Sequence, residues 1–168
     1  IAKGTIYLYF PNGKEELFLA AVDQGVLRMK DYIHTIADSV SDPLARIEAA
    51  IVAYMNYFKD HPEQVELWVI ERAEFRDRHA PAYFRHREAG IEVWRNLLRD
   101  LIHTRRLRDI PVQRIEDVLC DLLYGAMMAN HFSGRHRPPE EQARDAIDIA
   151  FNGILSDHER RARTETLP

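Results

Sequence analysis

Apolar residues recur at helical spacing along almost the whole chain. Leu44, Ile47, Ile51, Tyr54, Met55 and Phe58 step by three and four, as do Ile115, Val118, Leu119, Leu122, Leu123, Ala126 and Met127. Phe84, Ile91, Trp94, Leu98, Leu101 and Ile102 repeat the pattern, and Ile147, Ala150 and Ile154 carry it towards the end. Such steps gather side chains on one stripe of a 3.6-residue helix. No stretch sustains the period-two alternation of a half-buried strand, so the pattern predicts an all-α fold.

Proline punctuates the stripes. Asp42-Pro43, His61-Pro62, Ala80-Pro81, Ile110-Pro111 and Arg137-Pro138-Pro139 each precede an amphipathic run. Proline fits the first helical turn because its missing N–H would have no intrahelical partner there, and Asp42 is a good N-cap. The spacing predicts helices over 3–10, 14–38, 43–60, 62–78, 81–107, 111–133 and 139–160. The polar tail 160–168 is expected to fray.

Composition narrows the class. At 168 residues, 46% hydrophobic and 30% charged, the chain is one globular domain with a small attachment, not a fibrous or disordered polymer. A single cysteine, Cys120, excludes an intramolecular disulfide framework and suits a reducing compartment. No apolar run reaches the length of a membrane span and no secretory signal is legible, so a cytoplasmic protein with no membrane partner is expected. Twenty-three basic against 27 acidic residues leave a net charge of −4, so any contact with DNA must come from a local basic face. The opening residue is Ile1, not Met, which we read as a processed, trimmed or partly observed chain.

The opening segment is the informative one. Lys3-Gly4-Thr5-Ile6-Tyr7-Leu8-Tyr9-Phe10 makes a helix of about two turns, too short to stand alone in water. Ile6 and Phe10 share one face, and Lys3 and Tyr7 another. A Pro11-Asn12-Gly13 turn follows, and Lys14-Glu15-Glu16-Leu17-Phe18 opens a long helix. Lys3 and Lys14 are the only charges up to that point, a local excess of basic character on an acidic chain. Spacing alone leaves open that the tyrosines simply pack beside Phe10.

The order of these residues resembles the TetR family of bacterial transcriptional regulators, at the recognition helix of the helix-turn-helix and the start of the next helix. The resemblance implies that 1–20 is the end of a DNA-binding head and 21–168 a ligand-binding and dimerisation domain. It places Lys3, Gly4 and Thr5 towards the groove and Tyr7, Tyr9 and Lys14 on the phosphate backbone. In that family two further helices precede this segment, so operator DNA binding is expected of the complete head. The implied function is a repressor whose operator binding is modulated by a small apolar effector, working as a homodimer.

The remaining stripes supply candidates for the effector site and the dimer face. Tyr54, Met55, Phe58, Trp68, Phe75, Phe84, Trp94, Tyr124, Met127 and Met128 form a surplus of aromatic and sulfur side chains, with Arg72, Arg87, Asn130 and His131 as polar company. The expected pocket is Met55, Phe58, Trp68, Arg72, Phe75, Phe84, Arg87, Trp94, Tyr124, Met127, Met128 and His131, although each could fill an ordinary core. The expected dimer face is Leu119, Leu122, Leu123, Ala126, Ile147, Ala150, Phe151 and Ile154, packing with its symmetry mate as a four-helix bundle. The alternative is that both helices complete the monomer core.

Catalysis and metal binding find little. The closest approach to a helical metal motif is Asp31-x-x-His34 and Asp100-x-x-His103, and no Glu-x-x-His or Gly-rich phosphate cradle occurs. Cys120 lies on an apolar stripe and reads as a core thiol, not a nucleophile. No enzyme, cofactor or metal is expected. The alternatives are a helical-bundle enzyme or metal-binding protein without a DNA role, and an adaptor module, which predicts a solidly packed core.

Overall fold

A computed structural model describes residues 8–75, 80–134 and 137–153. Among them the chain forms seven helices and no strand: α1 (Lys14–Asp38), α2 (Pro43–Asp60), α3 (Pro62–Glu74), α4 (Ala82–Gly90), α5 (Glu92–His103), α6 (Val112–Ser133) and α7 (Pro139–Asn152). Leu8 and Tyr9 are helical and precede α1. The rest of the expected 3–10 helix, with Lys3, Gly4, Thr5 and Tyr7, lies outside the described residues, as does Ile154. No helix among the described residues is long and apolar enough to cross a membrane.

Local chemistry explains most boundaries. Asp42 Oδ1 accepts the Leu44 and Ala45 N–H groups at 3.1 and 2.9 Å, with Pro43 in the first turn of α2. The Arg106 guanidinium donates to the same carboxylate at 3.1 Å, and these bonds, the arginine's foremost, hold its pKa down at about 2. α7 runs to Asn152, where Gly153 takes a φ of 76° that other residues resist, and the rest of the expected span to 160 lies outside the described residues.

The expected helix over 81–107 is two helices, α4 and α5, broken at Ile91. Lys30 of α1 reaches the end of α4, where its Nζ donates at 3.2 Å to the His86 carbonyl, and Ile91 at the break keeps helical dihedrals. A Cβ on Gly90 would stand 2.4 Å from that nitrogen, so a larger residue there would make the lysine's end shift. α5 then ends at His103, because Arg105 turns to a φ of 58° and the Arg106 and Leu107 N–H groups both fold back onto the Leu101 carbonyl.

α2 is the central pillar, packed against α1, α3, α5, α6 and α7. Val22, Val26 and Met29 of α1 join Ile47, Ile51, Tyr54, Met55 and Phe58 of α2 in one buried cluster, which Trp68, Tyr83, Leu98, Leu101, Met127 and Ala143 extend across the other helices. Each large apolar side chain in it contributes about 1.5–3 kcal/mol of burial. α4 has no side-chain cap of its own, since Pro81 precedes it. Glu71 reaches from α3 instead, its carboxylate accepting the Ala82 N–H at 2.9 and 3.2 Å. An anion at a helix start is electrostatically favoured, which accounts for a glutamate buried in this core.

Candidate ligand-binding cavity

The helices do not close completely. A cavity of about 190 Å³ remains between α1, α2, α4, α5 and α6. Four helices present the same register to it. α1 offers Val26, Met29, Lys30 and Ile33; α2 offers Ile47, Ala50, Ile51 and Tyr54; α4 offers Tyr83, His86, Arg87 and Gly90; α6 offers Glu116, Leu119, Cys120 and Leu123. Each set runs i, i+3, i+4, i+7, the stripe a helix turns to one point. Ile91, Trp94 and Leu98 complete the wall, with His34 stacked on Trp94 at 5.5 Å between ring centroids.

The surface facing the void is almost wholly carbon. Its charged neighbours are engaged with one another. Glu116, only 3% exposed, accepts from Arg95 Nε at 2.8 Å and from Arg95 NH2 at 3.3 Å, and lies 3.6 Å from Arg87. Arg87 also donates to Asp117 at 3.3 Å. His86 pairs with Asp23 through Nε2 at 2.9 Å, and Arg85 joins the same carboxylate at 3.0 Å. A buried carboxylate needs such partners, because desolvation otherwise outweighs its attraction to one cation. Glu116 thus clasps α4, α5 and α6 together at the edge of the void.

Two phenols form the remaining polar feature. The Tyr54 and Tyr83 hydroxyls meet at 3.5 Å. Burial pushes the pKa of Tyr54 well up and that of Tyr83 to about 12, so both stay neutral. Burial likewise raises the Cys120 thiol, which therefore remains protonated.

The residues singled out from sequence separate into groups. Arg87 and Trp94 line the cavity. Trp68, Arg72, Phe84 and Tyr124 line a second hollow of about 330 Å³ that shares Tyr83 with the first. Met55, Phe58, Phe75, Met127, Met128 and His131 line neither. Met55, Phe58 and Met127 are buried core, Phe75 stacks on Phe18 at 5.6 Å, Met128 packs against the core, and His131 pairs with Glu66 at 3.0 Å. The aromatic surplus is a chain of edge-to-face and tilted rings, Phe58 to Trp68 to Tyr83 to Tyr124, with centroids 5.3, 4.9 and 5.1 Å apart. It backs the cavity more than it lines it.

Sequence reading missed most of the α1 wall, His86 and the Glu116 clasp. The missing signal was the shared quartet spacing: Val26, Met29, Lys30 and Ile33 repeat what Glu116, Leu119, Cys120 and Leu123 do. Leu119 and Leu123, expected on the dimer face, point to the cavity instead. Ala126, Ile147 and Phe151 are partly buried against the core, and Ala150 is half-buried. Leu122 is exposed. The outward stripe of α6 is Val118, Leu122, Gly125 and Phe132, spaced four, three and seven apart, with Val118 60% and Phe132 69% exposed. Ile149 of α7 is also exposed.

At the start of α1, Tyr9 is 75% exposed and Lys14 is exposed too. Among the described residues no side chain caps the first N–H groups of this helix; Glu16 Oε2 instead accepts the N–H of Asn12, the residue before the N-cap Gly13, at 2.9 Å, and Glu15 stands beside it in the first turn. Among the described residues no cluster of three or more His, Cys, Asp or Glu could hold a metal ion.

Comparison of the chain with protein-family models, with curated proteins and with solved structures yields no match.

Proposed function

We propose that this chain is the effector-sensing and dimerising part of a DNA-binding transcriptional regulator of the kind the opening segment resembles, a repressor working in the cytoplasm. One observation carries the reading: a carbon-walled cavity shares a wall with α1, the helix that begins directly after the exposed Tyr9 and the Pro11-Asn12-Gly13 turn. A molecule filling the cavity presses on Val26, Met29 and Ile33, and a rigid helix carries that displacement to the head at its start. The effector and DNA then favour different positions of α1, and each weakens the other's binding by the same factor. An adaptor would have packed this space solid.

The dimer rests on the exposed stripe of α6. Val118, Leu122 and Phe132 form an apolar line on which Gly125 leaves room for a second helix, since nothing lies within 4 Å of where its Cβ would be. A two-fold copy of the same stripe is the self-complementary occupant, and two-fold symmetry suits paired half-sites on a duplex.

The test is selection of duplex DNA from a random pool by the protein with its complete head. Binding is expected to fall linearly on a log–log salt plot, with a slope of about −0.9 per phosphate contacted. Failure to retain any duplex at low salt refutes the reading.

A further inference from the structure

The chemistry of the cavity selects its occupant more narrowly than "apolar", and this inference rests on the reading of the cavity as an effector site. We propose that the cavity takes a neutral molecule the size of one substituted ring, such as an alkylbenzene, and rejects the corresponding carboxylate.

Size comes first. An apolar cavity of about 150 Å³ stays dry and accepts benzene. The space here, about 190 Å³, has room for one ring with one or two small alkyl groups.

Charge comes second. An ion entering a carbon-walled void loses its hydration and must find a counter-charge inside. Two of the basic side chains at the cavity are already paired with carboxylates. Arg87 is held by Asp117 and Glu116, and His86 by Asp23. Lys30 is the cation without a carboxylate among these, yet its Nζ lies over Gly90 and donates to the His86 carbonyl. What the wall does offer is ring faces and polarisable sulfur: Tyr54, Tyr83 and Trp94, with Met29 opposite on α1. Aromatic guests suit these through edge and face contacts. The Tyr54 and Tyr83 hydroxyls, weakly joined at 3.5 Å, and His34 would tolerate one small hydrogen-bonding group on the ring.

The experiment titrates the full chain with toluene and, separately, with benzoate, a ring of matched shape carrying one negative charge. The readouts are Trp94 emission, with Trp94→Phe as the control for Trp68, and thermal stability. Toluene is expected to bind saturably and raise the melting temperature, with benzoate weaker by at least about a hundredfold. Ala50→Phe, which puts a ring into the void from α2, is expected to fold and to abolish toluene binding. Three results overturn the proposal: benzoate binding on a par with toluene and lost in Lys30→Met, no saturable toluene binding by the wild type, or toluene binding unchanged in Ala50→Phe. Toluene binding that leaves DNA affinity untouched supports the ligand class and removes the regulator instead, so the two failures are distinguishable.

Discussion

The two faces of α6 carry similar residues and meet different fates. Its inner face, Glu116, Leu119, Cys120 and Leu123, borders the cavity. Its outer face, Val118, Leu122, Gly125 and Phe132, stays exposed among the described residues. Hydrophobicity does not separate them. The polar member does: the inner face holds an acid that two arginines from α4 and α5 come to meet, and the outer face holds a glycine that nothing approaches. A buried charge marks the side where the fold closes on itself, and a small residue on an exposed apolar line marks the side open to another helix.

That contrast can be broken from the inside first. Glu116→Ala removes the acceptor shared by Arg87 and Arg95. Urea denaturation is expected to show a loss of about 3 kcal/mol, the lower end for breaking a buried pair, because Asp117 and Glu92 still serve the two arginines. On the outer face, Leu122→Asp is expected to leave monomer stability within about 0.5 kcal/mol. It should weaken self-association by about 2 kcal/mol, seen as a shift to monomer in sedimentation velocity. Equal loss of folding stability from both substitutions would erase the distinction between the faces.

Smaller effects sharpen it. Glu71→Ala takes the cap from α4, the helix that brings Arg87 to the cavity, and thermal unfolding should register about 1–2 kcal/mol. The phenols report on the cavity through pH. Tyr83 titrates near 10 when unfolded and at about 12 in the fold, so the folded state holds its proton more tightly. Stability is therefore full below about pH 10 and falls as pH rises towards 12. Tyrosinate absorbance followed alongside unfolding checks this, and Tyr83→Phe should flatten the decline.

Much of the architecture was legible because it is local. The stripe from Leu44 to Phe58, the Asp42-Pro43 start and the Pro62 break determine α2 and α3 within a few residues, since caps and periodicity act within one or two turns. The break at Ile91 was not legible. Trp94 and Leu98 continue the phase of Phe84 well enough to read as one helix, Ile91 keeps helical dihedrals, and the lysine that reaches this point, Lys30, is far away in sequence. The candidate site was legible only in part for the same reason. Arg87 and Trp94 were found as bulky or polar members of a stripe, but a stripe states which side of a helix is buried, not what it is buried against.

The sequence by itself determined an all-helical chain, where most helices start, and which residues turn inward. Only the tertiary structure decided that four inward stripes converge without filling the space between them, that Glu116 is the buried acid beside Arg87 and Arg95, and that Glu71 caps a helix it does not belong to. Periodicity is a property of neighbouring residues, whereas a void and a clasp depend on distances between helices, which no single stripe encodes.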